Sequence, residues 1–384
     1  MNDARSLYSG KRVFITGHTG FKGAWLSLWL TRLGASVHGF SLPPPTEPSI
    51  YARANLQPLL AGETIGDLRD PQALQRSVRA AAPDLVFHLA AQALVRRSYE
   101  VPEETFAVNV MGTAHLLDAV RDLAKPCAVI CVTSDKCYAN QEQVWGYREQ
   151  DSMGGADPYS ASKGAAELVI AAYRHSYFNP AALSHHGVQI ASARAGNVIG
   201  GGDWARDRIV VDMVAALLKG APVPVRNPHA VRPWQHVLDP LSGYLDLGAR
   251  MLAAPDPAWC RAWNFGPLPG AELTVAQLVE CSIAVWGSGS WADVGTPDQP
   301  YEAGSLRLCI DQARCQLGWT PLWDDRMAIR KTVAWYKRVL CGGDSVRSAC
   351  DDDITAFGKD QQAHLQAASA FCASAAVGRA NDAN

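Results

Sequence analysis

The chain is poor in several features, and each lack removes a class of function. It has no long basic run, and its 35 Lys and Arg stand against 37 Asp and Glu, for a formal net charge of -2. Such a balance does not suit a general nucleic-acid or membrane-surface binder. No apolar stretch approaches the roughly 20 residues that cross a bilayer. Residues 1–11 lack the apolar segment of a secretion signal, so a cytoplasmic protein is expected. Ten cysteines occur, but none form a Cys-x-x-Cys pair and no spacing repeats, which speaks against a zinc site or a disulfide framework. Cys127, Cys131 and Cys137 lie in or beside one apolar stretch and read as small buried thiols. There is no internal repeat. With 48% hydrophobic residues the chain is too apolar to be disordered.

What is present is an alternation. Predicted strands at 12–16, 36–42, 64–68, 84–90, 128–133 and 189–195 are separated by predicted helices at 23–33, 73–82, 103–123 and 159–177. On the first helix, Trp25, Leu26, Trp29, Leu30 and Leu33 fall on one face. Strand and helix in turn predict an α/β fold: a Rossmann-type doubly wound parallel sheet covered on both faces. Beyond about residue 197 the pattern changes to frequent Gly, Pro and Trp, with helices expected near 209–218, 241–252, 275–285 and 327–340. The expected organisation is a dinucleotide-binding domain over 1–196, with about 230–258 returning to it. Residues 197–341 are then mainly a smaller substrate-binding domain, and 342–384 a tail. The tail is expected to hold a short helix over about 360–371 and to be poorly ordered at its end.

Gly17-His18-Thr19-Gly20-Phe21-Lys22-Gly23 joins the first predicted strand to the first helix. Glycines at this spacing let a phosphate approach backbone N–H groups at a helix N-terminus, where the dipole adds positive charge. The position, strand before and helix after, makes it a dinucleotide loop. The usual ribose-binding acid at the end of the second strand is missing, since that region reads Phe40-Ser41-Leu42. This leaves NAD against NADP open; the lack of a basic partner for a 2′-phosphate favours NAD. Asp67 and Leu68, ending the third strand, are placed to meet adenine, and Leu89, Ala90, Ala91 and Gln92 would let a cofactor lie close.

Tyr159 and Lys163, four apart at a helix start, share one face. A tyrosine is a poor base at neutral pH unless nearby cations favour its phenolate. Thr133-Ser134-Asp135-Lys136 ends the fifth strand. There Ser134 could hold a substrate hydroxyl, and charged residues at the end of a buried strand need a reason. Of Asp135 and Lys136, one could protonate a leaving hydroxyl and the other take a proton from carbon.

With residues 88–91, Asn109 and 194–197, these motifs resemble the extended short-chain dehydrogenase/reductase family. Residues 133–138, 194–204 and 232–243 resemble its nucleotide-sugar 4,6-dehydratases, those of CDP-D-glucose most. The resemblance covers about 11–340 and implies NAD as cofactor, with Asn109 and the glycine loop in its site. It also implies that Tyr159 takes the C4 hydroxyl proton, Lys163 lowers the tyrosine pKa and holds the nicotinamide ribose, and Ser134 aligns the hydroxyl. Asp135 would protonate the C6 hydroxyl; whether Lys136 takes the C5 proton stays open. Asn197 and Arg232 look like diphosphate ligands, with Asp203, Trp204, Trp234 and His236 around the substrate. The implied product is CDP-4-keto-6-deoxy-D-glucose, for deoxysugar biosynthesis such as that of O-antigen lipopolysaccharide. The implied assembly is a homodimer or higher homo-oligomer, formed through the helices 103–123 and 159–177. A dehydratase of a UDP or dTDP hexose, an epimerase of the same fold and a non-catalytic dinucleotide-binding regulator remain alternatives. No metal is expected.

Overall fold

The computed structural model describes residues 4–270, 272–295 and 306–381, with side chains from residue 6 and, in the last helix, as far as residue 367. Six strands follow the predicted alternation: β1 (Arg12–Thr16), β2 (Ser36–Ser41), β3 (Gly62–Ile65), β4 (Leu85–His88), β5 (Cys127–Val132) and β6 (Val188–Ala195). A seventh, Ala262–Phe265, adds to the free edge of β6. All pair in parallel in the order Ala262–Phe265, β6, β5, β4, β1, β2, β3. This is a Rossmann-type sheet, and the chain reverses its winding between β1 and β4. Helices cover both faces, so β4, β5 and β6 are buried at every position, and their sequences read as continuous apolar runs.

Several expectations shift by local physics. The third strand stops at Ile65, not 68, because the chain turns at Gly66, where a Cβ would fall 2.7 Å from the Phe40 ring. The helix expected over 103–123 is divided into Pro102–Phe106, a widened turn Ala107–Met111 and Gly112–Arg121. A short helix, Val95–Glu100, precedes it. Phe21–Arg32 buries every residue from Gly23 to Leu30, not one stripe. Its second side is covered by Leu238–Ala253 and by the terminal helix. Ile209–Leu218 has the expected bounds and Leu238–Ala253 is longer than expected, both without a side-chain cap. The last two, also longer, begin at caps, where Thr274 closes a capping box with Gln277 ahead of Val275–Trp286 and Asp324 caps Asp325–Leu340.

The tail differs most. A helix runs Val346–Asn381 in place of the short one expected over 360–371, and the last three residues lie outside the described ones. Its first turns bury Val346, Ala349, Cys350, Ile354 and Phe357, at the spacing of one helix face. The Phe357 ring sits 5.7 Å from Trp29 and 5.0 Å from Trp323, and Arg32 bonds Asp351 at 3.0 Å. The helix therefore ties the first helix of the sheet to the C-terminal half. Cys127, Cys131 and Cys137 are buried, and burial pushes the first two thiols up to about 12. No cluster of metal ligands occurs among the described residues, and no helix among them is long and apolar enough to cross a membrane.

A candidate cleft at the carboxyl edge of the sheet

The carboxyl ends of β1, β3, β4, β5 and β6 open into one cleft of about 590 Å³, within the usual size range of ligand pockets. Its floor begins with the glycine turn. A Cβ on Gly17 would fall 2.7 Å from the Ala90 nitrogen and one on Gly23 2.0 Å from the Gly17 oxygen, so larger residues cannot form this turn. No side chain caps the helix that follows, and no acid stands in its first turn. Its free N–H groups and its dipole are thus left for an anion, which a dinucleotide diphosphate supplies.

Thr19 closes the other side of the turn, its Oγ1 2.8 Å from Ser41 Oγ and 2.9 Å from the Leu42 oxygen. Asp67 and Leu68 line the far end. Asp67 pairs with Arg69 at 2.6 Å, and this hydrogen bond holds its carboxyl below the usual range. Leu89 to Gln92 form the wall after β4. Behind them Thr16 Oγ1 lies 2.7 Å from His88 Nδ1 and accepts from the Ala90 nitrogen at 3.2 Å. Burial pushes His88 down to about 3, so it is a neutral strut.

The chemical groups cluster where β5 and β6 end. Gly17, Thr19, Gly20, Phe21, Lys22, Gly23, Ser134, Asp135, Lys136, Tyr159, Lys163, Asn197, Asp203 and Trp204 all line the cleft. Asp157 caps the helix Pro158–Ser176 and so sets Tyr159 and Lys163 in its first turns. Ser134 Oγ donates to Asp135 Oδ1 at 2.8 Å, and Lys136 Nζ stands 3.9 Å from the same oxygen. Burial pushes the Tyr159 phenol up to about 12, against a lowering hydrogen bond from Ser134 and the charge of Arg208. Burial pushes Lys163 down to about 8, with Glu167 the strongest opposing charge. The cleft can therefore hold a hydroxyl between Ser134 and Tyr159, with a carboxyl and an amine beside it for proton transfer to and from a neighbouring carbon.

Some expected residues lie elsewhere. His18 turns away: its Nε2 meets Glu63 at 2.6 Å, and its ring fills the space left by the absent side chain of Gly39. Asn109 lies behind the wall. Its amide accepts from the Gln92 nitrogen at 2.8 Å and donates to the Gln92 oxygen and to Ser162 Oγ. It clamps the loop after β4 to the helix of Tyr159, since Ser162 Oγ donates in turn to the Tyr159 oxygen. Arg232, Trp234 and His236 do not line the cleft. His236 is fully buried between Trp25 and Trp323, with ring centroids 6.2 and 4.9 Å away, and desolvation pushes it down to about 3. Arg208 was not anticipated: it lines the cleft 4.0 Å from Asp203. Its signal was the charged run Arg206-Asp207-Arg208 just ahead of the apolar helix Ile209–Leu218.

A buried ion pair supports the constellation from below. Arg194 Nη2 meets Glu167 Oε2 at 2.8 Å, and Glu167 also accepts from Thr133 and Ser192. Glu167→Gln leaves the Arg194 charge uncompensated, so a loss of about 3–5 kcal/mol in urea unfolding is expected. It also removes the main charge that keeps Lys163 protonated, so activity should fall even where the variant is folded.

The model of the family described as GDP-mannose 4,6 dehydratase matches residues 14–257. The chain is 49% identical over 341 residues to the CDP-glucose 4,6-dehydratase of Salmonella typhimurium (strain LT2), covering 88% of this chain and 94% of the relative. It is 25% identical over 289 residues to a dTDP-glucose 4,6-dehydratase of Xanthomonas campestris pv. campestris, covering 71% and 77%. Among solved structures it is similar to DesIV, a dTDP-glucose 4,6-dehydratase from Streptomyces venezuelae with NAD and TYD bound. There the TM-score is 0.71 and the identity 26%, over 86% of this chain and 98% of that one. The chain belongs to the GDP-mannose 4,6-dehydratase family of extended short-chain dehydrogenases/reductases.

Proposed function

We propose that the protein is an NAD-dependent lyase that converts CDP-D-glucose to CDP-4-keto-6-deoxy-D-glucose. The observation that carries this reading is Asp135-Lys136 beside Ser134 and Tyr159 in one cleft, in a chain 49% identical to a CDP-glucose 4,6-dehydratase. The glycine turn and the uncapped helix behind it would hold the cofactor's diphosphate, and residues 89–92 would lie along it. When bound, NAD supplies the redox chemistry, taking hydride from C4 of the sugar and giving it back at C6.

The side chains do the rest. Ser134 aligns the C4 hydroxyl and Tyr159 takes its proton. The C4 ketone acidifies the C5 proton, which a base removes; Lys136 serves once neutral. The electrons left at C5 form the C5–C6 double bond as the C6–oxygen bond breaks, and Asp135 protonates that oxygen so that it leaves as water. The base then returns its proton to C5. Asn197 and Arg208 would meet the diphosphate of the substrate, with Asp203 and Trp204 beside it. Arg232, Trp234 and His236 keep no direct role in this reading. The Asp-Lys pair tells against an epimerase, which eliminates nothing.

Residues 1–196 form the dinucleotide half and 197–341 mainly the substrate half, by the same reading, with the product feeding deoxysugar synthesis. Phe106, Met111, Leu168 and Tyr177, exposed on or beside the helices Gly112–Arg121 and Pro158–Ser176, support an interface between copies of the chain. The deciding experiment is mass spectrometry of the purified protein with NAD and CDP-, UDP-, dTDP- and GDP-glucose. Loss of one water from the CDP sugar alone, without net reduced cofactor, is expected. Loss from a different nucleotide changes the substrate, and isomerisation without mass loss makes the protein an epimerase.

A further inference from the structure

Lys22 is an odd residue for its position. A diphosphate at the glycine turn is met by backbone N–H groups and the helix dipole, which need no lysine. Enclosing an ammonium has a cost unless something answers its charge. Lys22 lines the cleft with Asp135, Tyr159, Lys163 and Arg208. Burial, then repulsion from Arg208 and Lys163, pushes the ammonium down to about 8, and Asp135 is the charge that opposes them. Asp135 has a matching deficit. It is 2% exposed, and its Oδ1 is taken by Ser134 and Lys136. Its Oδ2 is buried without a hydrogen-bond partner among the described residues. The absent side chain of Gly196 keeps room beside that oxygen, since a Cβ there would fall 3.1 Å from it.

We propose that Lys22 is a positioning residue for the loss of water: its ammonium pairs with Asp135 Oδ2 as that carboxyl gives its proton to the C6 oxygen. No bond to Lys22 is made or broken. The Asp135 O–H bond breaks, the proton joins the departing oxygen, and the carboxylate that forms gains a cation in a place where an unpaired charge is costly. The proposal rests on the reading of Asp135 as the acid.

The test is single-turnover kinetics of Lys22→Met, Lys22→Gln and Lys22→Arg with NAD and CDP-glucose. The absorbance of reduced nicotinamide is followed alongside water loss, and NAD affinity is measured separately. The neutral variants should slow elimination about tenfold, so that reduced cofactor builds up while oxidation and NAD affinity stay within about twofold. Lys22→Arg should restore most of the elimination rate. Weakened NAD binding with both steps slowed alike assigns Lys22 to the dinucleotide and overturns the proposal, as does an unchanged time course. If Asp135→Asn separates the two steps and the Lys22 variants do not, only this proposal fails. If Asp135→Asn does not separate them, the acid assignment falls and takes the proposal with it.

Discussion

Replacing Tyr159 by phenylalanine should cut turnover of CDP-glucose by about ten-thousandfold, the upper range for losing a positioned base. The affinity for NAD should stay close to that of the unchanged protein. The reason is local. In the ligand-free protein burial pushes the phenol up to about 12, and the nearby carboxylates Asp135 and Asp157 add to that. Ionising it near pH 7 then means recovering about 7 kcal/mol, at about 1.4 kcal/mol for each unit. One cation at about 4 Å is worth about 4 kcal/mol at an effective dielectric of about 20. Lys163 on the next turn, and an oxidised nicotinamide when bound, are the cations that would favour the phenolate. Burial favours the phenol in the ligand-free cleft. Binding is read by quenching of protein fluorescence and hydride transfer by nicotinamide absorbance in a single turnover. Reduced cofactor appearing at an undiminished rate in Tyr159→Phe would remove the tyrosine from the reaction.

Those parts of the molecule whose physics is short-range were legible before any coordinates. The runs expected at 12–16, 84–90 and 128–133 are largely apolar on both faces because helices cover both, and no distant residue is needed to see it. The glycine turn and the spacing of Tyr159 and Lys163 are local too. What stayed hidden depends on pairing over long range. His236 shares a segment with residues that suggest a substrate site. Yet the strand pair Gln235–His236 with Val198–Ile199 turns its ring into a pocket made by Trp25 and Trp323. The composition of the tail predicts only a short helix. Its long helix is held by Trp29, Arg32 and Trp323, which lie far away in the chain. The strand Ala262–Phe265 is only four residues long, and it forms because β6 offers an open edge. Arg208 shows the same limit inside the site, since only the fold brings it to bear on Lys22 and Tyr159.

Asp135→Asn should leave oxidation at C4 within about threefold of the unchanged rate and slow the loss of water by about a hundredfold or more, the span for general acid catalysis. Asparagine keeps the shape and an oxygen that can accept from Ser134, so the turn Asp135–Cys137 and the hydroxyl that aligns the substrate stay in place. What it loses is a transferable proton. The 4-keto sugar and reduced cofactor should therefore accumulate together, visible as a rise in nicotinamide absorbance that decays slowly. The substitution also removes the carboxylate 3.9 Å from Lys136 but leaves the amine itself in the cleft. If Lys136 is the base, exchange of the C5 hydrogen with solvent should then persist in Asp135→Asn while water loss is blocked, separating the two proton transfers. If oxidation and water loss slow by the same factor, Asp135 orients the sugar and another group is the acid. If exchange stops as well, base and acid work only as a pair, and the 3.9 Å between Lys136 and Asp135 is the distance across which that pair is held.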